Sequence, residues 1–371
     1  MIVFATAAHD LTTVAEVLRE LLPPATRLAG CTTAGEITAE GSHNATVALM
    51  MLGGNGFAID LAYAQGLSAD SAGTGQAVAE HLFPLAPEAS ETAESAAPED
   101  ADAREHEIVI LLSDGLSGDQ QAMVTGVYRV TGAAIRLVGG CAGDDLAMQS
   151  TTQLVSSPQG DLVLTDSVVG VRLRSDAPLG VGVRHGWTRT GEALVVTGSS
   201  GPTVHTLDDE PALDAYLRAI NAPAEVRESP AAFTRFALHH PLGIPGRGHD
   251  LVRFVTGADF ETRCLNLVAP VPQGGLTWIM EGGTHEVLDA SGEACRIAVE
   301  QLDGQPAKGV IAFDCIARRA ALGEAVTDEV DEIVRHTDAA PMIGFYTYGE
   351  IARTHGLNGF HNQTLVVLAF A

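Results

Sequence analysis

The spacing of apolar residues along the chain predicts strands and helices in a recurring order. Residues 1–8 form an almost continuous apolar run, which is typical of a buried strand, and residues 11–22 carry apolar side chains at helical spacing. Pro23 and Pro24 end this helix, because proline cannot continue the helical hydrogen-bond pattern. A strand, a helix and a second strand follow one another again from residue 107 and again from residue 309. The pattern therefore predicts an α/β protein.

A glycine-flanked turn follows the second strand in each of these three stretches. Glycine permits positive φ and close backbone approach, and each turn ends in a carboxylate. Copies one and three also share a His-Asn-x-Thr sequence before their closing strand, at residues 43–46 and 361–364. This repetition predicts an internal structural repeat. The three turns are Gly30-Cys31-Thr32-Thr33-Ala34-Gly35-Glu36, Gly139-Gly140-Cys141-Ala142-Gly143-Asp144-Asp145 and Gly344-Phe345-Tyr346-Thr347-Tyr348-Gly349-Glu350.

We therefore predict mixed sheets built from a repeated unit of strand, helix, strand, glycine turn and strand, arranged in two related halves. The predicted domains are residues 1–184 and residues 185–371. Residues 86–105 consist mainly of Ala, Glu, Ser and Pro without a large apolar side chain, which predicts a flexible acidic insertion.

Two local patterns predict a particular helix and a particular strand. Ser117 and Gln120 have the spacing of a capping box, which predicts a helix over residues 117–130. Between the second and third copies lies a segment without the repeat, in which residues 233–238 are expected to form one of several strands.

Charge and composition narrow the possible partners. The chain carries 47 acidic and 21 basic residues, a formal net charge of -26, which disfavours nucleic acid and anionic membranes as partners. No apolar run is long enough for a membrane span, and the N-terminus lacks the basic region of a signal peptide. Five widely spaced cysteines favour a reducing compartment and give no zinc-site spacing. These features predict a cytoplasmic protein, and we expect no cofactor.

The glycine turns, together with Leu112-Ser113-Asp114-Gly115, Val183-Arg184-His185-Gly186-Trp187 and Leu207-Asp208-Asp209-Glu210-Pro211, resemble the FIST family in order along most of the chain. The resemblance implies a sensory module with FIST N-like and FIST C-like parts, here residues 1–184 and 185–371, and amino acids as the ligand class. Many bacterial relatives join the module to a signalling output. Because the pattern occupies the chain from end to end, we expect the signal to pass in trans to a partner such as a histidine kinase or cyclase.

The turns also suggest where a ligand binds. Carboxylates at the ends of equivalent strands attract an ammonium group, while turn amides and an arginine attract a carboxylate, so together they suit an amino acid. The open alternative is that the acids cap turns or bind neighbouring amides. The predicted pocket lies between the halves, and its candidate ligand-binding residues are Cys31, Thr32, Glu36, Asp114, Cys141, Asp144, Asp145, Arg318, Tyr346, Tyr348 and Glu350.

Two other functions stay open at this point. Some family members resemble haem proteins that sense nitric oxide, and His185 is the candidate axial ligand, although a packed hydrogen-bonded pair with Trp187 is the alternative. A hydrolase would use Cys141 or the aspartates, but a nucleophile needs a nearby base and no nucleophile-elbow sequence is present. We therefore predict no catalytic residues and no enzyme activity.

Overall fold

The computed structural model describes residues 1–84, 104–246, 250–353 and 358–371. The predicted acidic insertion at residues 86–105 lies outside the described residues, except for its last two positions. The chain forms a mixed α/β fold in which one unit occurs three times.

The first unit shows the repeated arrangement. Its first two strands are parallel, its last strand returns antiparallel to the first, and a short hairpin follows the glycine turn. A helix connects the first two strands. The elements are β1 (Ile2–Thr6), α1 (Leu11–Leu21), β2 (Ala29–Thr33), the hairpin β3 (Glu36–Thr38) and β4 (Gly41–His43), and β5 (Val47–Met50).

The second unit has the same pairing, preceded by one additional strand and one additional helix. The elements are β6 (Phe57–Gln65), α2 (Ser71–Leu82), β7 (His106–Ser113), α3 (Gln120–Thr131), β8 (Arg136–Cys141), the hairpin β9 (Gln153–Ser157) and β10 (Gly160–Leu164), and β11 (Ser167–Ser175).

The region between residues 188 and 281 is inserted between β12 (Leu179–Arg184) and the helix of the third unit. Its eight strands and three helices surround a separate apolar core. The elements are β13 (Thr188–Ser200), β14 (Thr203–Leu207), β15 (Glu210–Pro211), α4 (Ala212–Ala219), α5 (Ala224–Glu228), α6 (Pro230–Ala237), β16 (Leu242–Ile244), β17 (Leu251–Arg253), β18 (Val255–Asp259), β19 (Cys264–Leu267) and β20 (Leu276–Glu281).

The third unit repeats the second, with β12 as its additional strand. The elements are α7 (Thr284–Glu300), β21 (Gly309–Cys315), α8 (Ile316–Leu322), α9 (Val326–His336), β22 (Met342–Thr347), the hairpin β23 (Glu350–Arg353) and β24 (Phe360–His361), and β25 (Leu365–Phe370).

The units exchange their hairpins in a cycle. The hairpin of unit one pairs with β22 of unit three, that of unit two with β2 of unit one, and that of unit three with β8 of unit two. Each sheet is thus completed by a hairpin from another unit. This arrangement confirms the predicted mixed sheets built from a repeated unit, and it places the three units around a common centre.

The centre is an apolar core to which all three units contribute. Phe4 of β1 lies 4.5 Å from Phe345 of β22 and 6.5 Å from Phe313 of β21, measured between ring centroids. Ile110 of β7 and Val138 of β8 belong to the same buried cluster. Burial of such apolar surface contributes about 25 cal/mol per Å2 to stability.

Two local predictions are wrong. Residues 233–238 lie mostly in helix α6 and not in a strand, because Ser229 caps the helix, Pro230 occupies its first turn, and Phe233 and Ala237 share its buried face. Helix α3 begins at Gln120 and not at Ser117, because Asp119 is the N-cap and accepts a hydrogen bond from the Ala122 amide.

Candidate functional site

The three glycine turns meet at one place in the fold. Since each turn follows the second strand of its unit, the cyclic arrangement brings all three to the same end of the core. Main-chain hydrogen bonds link them: Ala34 N to Tyr346 O, Tyr346 N to Gly35 O, Gly143 N to Thr32 O, Cys141 N to Gly349 O, and Tyr348 N to Cys141 O, at 2.8–3.1 Å. We call this place the turn junction.

Gly143 shows why the junction needs glycine. A Cβ atom at this position would lie 3.0 Å from the Ala34 Cβ and 3.2 Å from the Tyr348 ring. A larger residue at this position would push the turns of units one and three away from the turn of unit two.

Two predicted carboxylates occupy equivalent positions and have internal partners. Thr33 and Thr46 donate hydrogen bonds to Glu36, while the Thr347 hydroxyl, at 2.5 Å, and the Thr364 amide, at 3.1 Å, donate to Glu350. Both glutamates are fully buried.

Burial also changes the acidity of these glutamates. It raises the pKa of Glu350 to about 8, and it raises the pKa of Glu36 as well. Their hydrogen bonds match the turn-capping alternative that the sequence left open.

Asp144 organises the loop after the second turn. Its carboxylate accepts hydrogen bonds from the amides of Met148, Gln149 and Ser150 at 2.6–3.0 Å, and from the Tyr348 hydroxyl. Although burial opposes the effect, these hydrogen bonds hold the pKa of Asp144 below its usual value. The neighbouring Asp145 is exposed.

Asp114 lies in the loop that follows β7 and also binds main-chain groups. It accepts hydrogen bonds from the amides of Leu116, at 3.0 Å, and Asp166, at 2.7 Å, and from the Thr151 hydroxyl. Asp114 therefore stabilises the loop from within the fold.

The small residues of the junction are buried. Cys31 and Cys141 are essentially inaccessible, and the Thr32 hydroxyl accepts a hydrogen bond from the Thr152 amide at 3.0 Å. Burial raises the pKa of both cysteine thiols well above the usual value. Because the thiolate is the reactive form, neither cysteine has the properties of a nucleophile.

Arg318 and Tyr346 lie in the interior of unit three. Arg318 donates to Asp314 at 2.9 Å, to the Ser291 hydroxyl at 2.7 Å and to Glu329. Tyr346 is buried on β22, and its backbone pairs with that of Asp314. The structure therefore places Arg318 inside an ion-pair network.

His185, the candidate haem ligand, is part of the same region. The Trp187 amide donates to its Nδ1 at 3.0 Å, and Arg318 donates to its carbonyl oxygen at 2.7 Å. The Trp187 indole is buried and donates to the Gln363 carbonyl. The histidine and tryptophan thus form the hydrogen-bonded pair that the sequence left as the alternative.

A cavity of about 350 Å3 lies beside the turn junction. Helix α3 of unit two, the segment before β24 of unit three and the inserted region each contribute to its walls. Sequence reasoning did not identify it, because no motif connects these three regions. Its lining residues are Asp119, Gln121, Ile244, Pro245, Arg253, Pro270, Pro272, Leu276 and Asn358.

Arg253 is the one positive charge among these lining residues, and it is 4% exposed. Its guanidinium donates to the carbonyl oxygens of Pro270 at 3.2 Å, Val252 at 3.0 Å and Phe360 at 3.4 Å. Within the described residues no carboxylate lies in ion-pair range of it. Burial lowers the pKa of Arg253 to about 10, against a smaller opposing effect of Asp119, so the group stays charged at neutral pH.

The sequence contains a pattern that indicates a buried charge at Arg253. It is a single charged residue inside the apolar run Leu251-Val252-Arg253-Phe254-Val255, and a charge in such a run is buried when the run forms an interior strand.

Phe360 connects the cavity to the turn junction. Its ring packs with Cys141, Ala269 and Tyr348, while its carbonyl oxygen accepts the hydrogen bond from Arg253. Its amide donates to the Gln121 side chain at 3.2 Å. Phe360 is therefore in contact with both Arg253 and the turn junction.

In the described part of the chain, no group of three or more His, Cys, Asp or Glu side chains is arranged to hold a metal ion. The helices described there are also too short or too polar to cross a membrane.

The architecture defines a repeated α/β protein with an inserted domain. The chain matches the FIST N domain over residues 1–210 and the FIST C domain over residues 212–353, and it belongs to the FIST family. Domains of this family are associated with sensory signal transduction and small-ligand binding.

Two mycobacterial proteins are similar to part of this chain. The uncharacterized protein Rv0628c of Mycobacterium tuberculosis is 28% identical over 217 residues, which cover 56% of this chain and 55% of the relative. The uncharacterized protein Mb0898c of Mycobacterium bovis is also 28% identical over 217 residues, covering 56% and 54% respectively. The chain thus spans about half the length of the curated relatives it matches.

Proposed function

We propose that this protein is a cytoplasmic sensor that binds a small carboxylate-bearing metabolite, such as an amino acid, in the Arg253 cavity. Ligand binding passes a signal in trans to a partner protein such as a histidine kinase or a cyclase. The observation that carries the proposal is a buried, charged Arg253 that faces a cavity and has no carboxylate partner among the described residues.

Arginine suits this role because its planar guanidinium binds a carboxylate with two parallel hydrogen bonds. A buried guanidinium has lost the stabilisation of water, and backbone carbonyls replace only part of it. A ligand carboxylate would supply the missing negative charge in a place from which water is largely excluded. Because burial has removed water from the Arg253 guanidinium, the group favours binding of an anion.

Asp119 provides the opposite charge at the exposed end of the cavity. One of its carboxylate oxygens caps α3 by accepting from the Ala122 amide at 2.9 Å. The other oxygen can accept a hydrogen bond from an ammonium group. An arginine and an aspartate in one cavity match the two charges of a zwitterion, which favours an amino acid over a simple organic acid.

The position of the cavity supports a sensory role. A ligand that contacts Arg253 and Asp119 joins the inserted region to unit two, and Phe360 lies between the ligand and the turn junction. Ligand binding would therefore favour one relative arrangement of these regions over others, which is the requirement for signalling through a population shift.

The turn junction remains the other proposed location for the ligand, with Cys31, Thr32, Cys141, Asp144, Tyr346 and Glu350 as its lining. Its carboxylates already accept hydrogen bonds from the protein, so the Arg253 cavity is the better supported of the two locations.

A thermal-shift panel of amino acids and organic acids tests the proposal. A ligand at a hundredfold excess over its dissociation constant stabilises the fold by about 2.7 kcal/mol. We expect a hit whose effect is lost in Arg253→Met and weakened in Arg253→Lys, since lysine keeps the charge without the planar pair of donors.

Arg353→Met is the matched control, because Arg353 is another buried arginine but stacks on Tyr128 and does not line this cavity. A hit that survives Arg253→Met but is lost in Tyr346→Ala or Glu350→Gln would move the site to the turn junction. A panel without any hit among amino acids and carboxylates would contradict the ligand class.

A further inference from the structure

The outer edge of each sheet shows a difference between the three units. In unit two, β11 is flanked by the additional strand β6, and in unit three, β25 is flanked by the additional strand β12, both antiparallel. In unit one, no strand of the described residues pairs with the outer edge of the equivalent strand β5. In the part of the chain that the structure describes, the threefold repeat therefore has one strand position unfilled.

A helix position is unfilled beside it. Helix α2, which follows β6, packs against α3, and helix α7, which follows β12, packs against α9. Helix α1 is the counterpart of α3 and α9, and in the described chain no helix covers its flank in this way. Within residues 1–84, 104–246, 250–353 and 358–371, unit one thus lacks both parts of a strand-and-helix layer that the other two units have.

The uncovered surface is apolar. Leu49 is 45% exposed and Met51 59% exposed at β5, while Val17 is 49% exposed and Leu21 75% exposed on α1. These are four of the nine exposed large hydrophobic residues in the described chain. Nearly half of the exposed large hydrophobic residues of the described chain therefore belong to unit one, where the covering layer is not seen.

The helix geometry places Val17 and Leu21 on the β5 side. Arg19 binds Asp161 and Ser156 of the hairpin β9–β10, which lies at the opposite edge of the same sheet. Because successive residues turn by about 100° around a helix, Val17 and Leu21 lie on the flank away from Arg19. Leu49 is paired with Val3, whose side chain packs under α1, so Leu49 lies on the same face of the sheet as the helix. We call Val17, Leu21, Leu49 and Met51 the β5–α1 surface.

The outer backbone edge of β5 has no hydrogen-bond partner among the described residues. The Thr6 amide donates to the Thr46 carbonyl, and the register places Phe4 opposite Ala48, so the polar groups of Val47 and Leu49 point away from β1. Residues 46–54 contain no charged residue and no proline. Edge strands of monomeric proteins normally carry such residues to prevent pairing.

We propose that the β5–α1 surface is a dimer interface, in which β5 of a second copy of this chain pairs antiparallel with β5. A twofold axis brings the same surface of each copy together, so β5 meets β5 and α1 meets α1. The second copy then supplies both the antiparallel strand and the adjacent helix that β6–α2 and β12–α7 supply in the other units. This interface is independent of any ligand.

The test measures the mass of the full chain in solution by light scattering over a range of concentrations, together with hydrogen exchange at the Leu49 amide. We expect a dimer and a protected Leu49 amide. Leu49→Lys places two charges in the interface and weakens dimerisation by about a hundredfold, because the symmetry doubles the cost of one substitution. Val17→Lys weakens it to a similar extent.

Val195→Lys is the control, because Val195 is a partly exposed apolar residue on β13 of the inserted region. It should leave the dimer intact, and all three variants should unfold cooperatively as folded protein. A chain that is monomeric at every concentration overturns the proposal. So does a dimer that resists Leu49→Lys and Val17→Lys, or a monomer in which the Leu49 amide is protected, since another segment of the same chain would then cover the edge.

Discussion

Two buried arginines of this protein have opposite electrostatic surroundings. Arg318 is completely buried and forms ion pairs with two buried carboxylates, Asp314 and Glu329. Arg253 is almost as deeply buried, but among the described residues its hydrogen-bond partners are backbone carbonyls, and it faces a cavity. The same side chain therefore serves as an internal cross-link in one region and as an unmatched charge in the other.

The contrast distinguishes buried charges that stabilise the fold from buried charges that are available to a ligand. A buried charge is costly unless it is paired, so a protein either pairs it internally or leaves it for a ligand. Burial raises the pKa of Asp314 well above its usual value and Glu329 adds to this effect, while the Arg318 guanidinium opposes it, so Arg318 balances two acids that lie close together. Arg253 has no carboxylate in ion-pair range among the described residues, although Asp119 lines the exposed end of the same cavity.

The largest effect is expected for Arg318→Met. It leaves Asp314 and Glu329 as two buried acids without a cation, and we expect a loss of about 3–5 kcal/mol in the free energy of unfolding, measured by urea denaturation. Arg129→Met is the control, because Arg129 is exposed in the last turn of α3 and should cost far less. An equal loss in both variants would show that the ion pairs are not the cause.

The second effect concerns pH and the buried acid Glu350. Its folded-state pKa is about 8, above the usual value of 4.5, so between these values the folded state holds a proton that the unfolded state has lost. The contribution of Glu350 to the free energy of unfolding is therefore largest below about pH 4.5. It declines as the pH rises to about 8, by at most about 1.4 kcal/mol per pH unit. We expect Glu350→Gln to flatten this decline in urea unfolding measured at several pH values.

Glu36→Gln is the matched variant for this measurement, since Glu36 holds the equivalent position in unit one. Burial raises its pKa in the same direction as that of Glu350. If Glu350→Gln left the decline unchanged, the proton would be held elsewhere, for example in the Arg318 cluster.

The third effect concerns the stability and the ligand binding of a variant at Arg253. Because its charge is not paired internally, we expect Arg253→Met to lower the free energy of unfolding by less than about 2 kcal/mol. The same variant should weaken binding of a carboxylate ligand by about ten- to a hundredfold in calorimetric titration, as expected for a charge-assisted hydrogen bond. A stability loss as large as that of Arg318→Met would remove the contrast between the two arginines.

The smallest effect is expected for Tyr348→Phe. Its hydroxyl donates to Asp144 and accepts from the Leu146 amide at 2.7 Å, so its removal should cost about 1 kcal/mol in unfolding free energy. Tyr63→Phe is the control, since the described structure shows no hydrogen bond for the Tyr63 hydroxyl. A similar cost for both would mean that the link between Tyr348 and Asp144 contributes nothing.

The site was only partly predictable. The three turns were recognised from glycine spacing, and they do meet, but Glu36, Asp144 and Glu350 accept hydrogen bonds from neighbouring threonines, amides and a tyrosine. The donors to Glu36 and Glu350 lie in the same unit as each glutamate, whereas the Tyr348 hydroxyl reaches Asp144 from another unit. The glycine spacing that revealed the turns does not show which groups fill the hydrogen bonds of these carboxylates. Arg253 was missed because its environment comes from three distant parts of the chain.

The sequence alone determined the repeated unit, since apolar periodicity and glycine turns act over a few residues and recur three times. Only the tertiary structure decided how the units join. Arg319 reaches the Ala34 carbonyl across 285 positions, and the hairpins of the three units exchange in a cycle that the local pattern leaves open. Strand pairing depends on which edges are free after folding, so the cavity at Arg253 and the unfilled edge of β5 follow from the assembly of the units and not from any one of them.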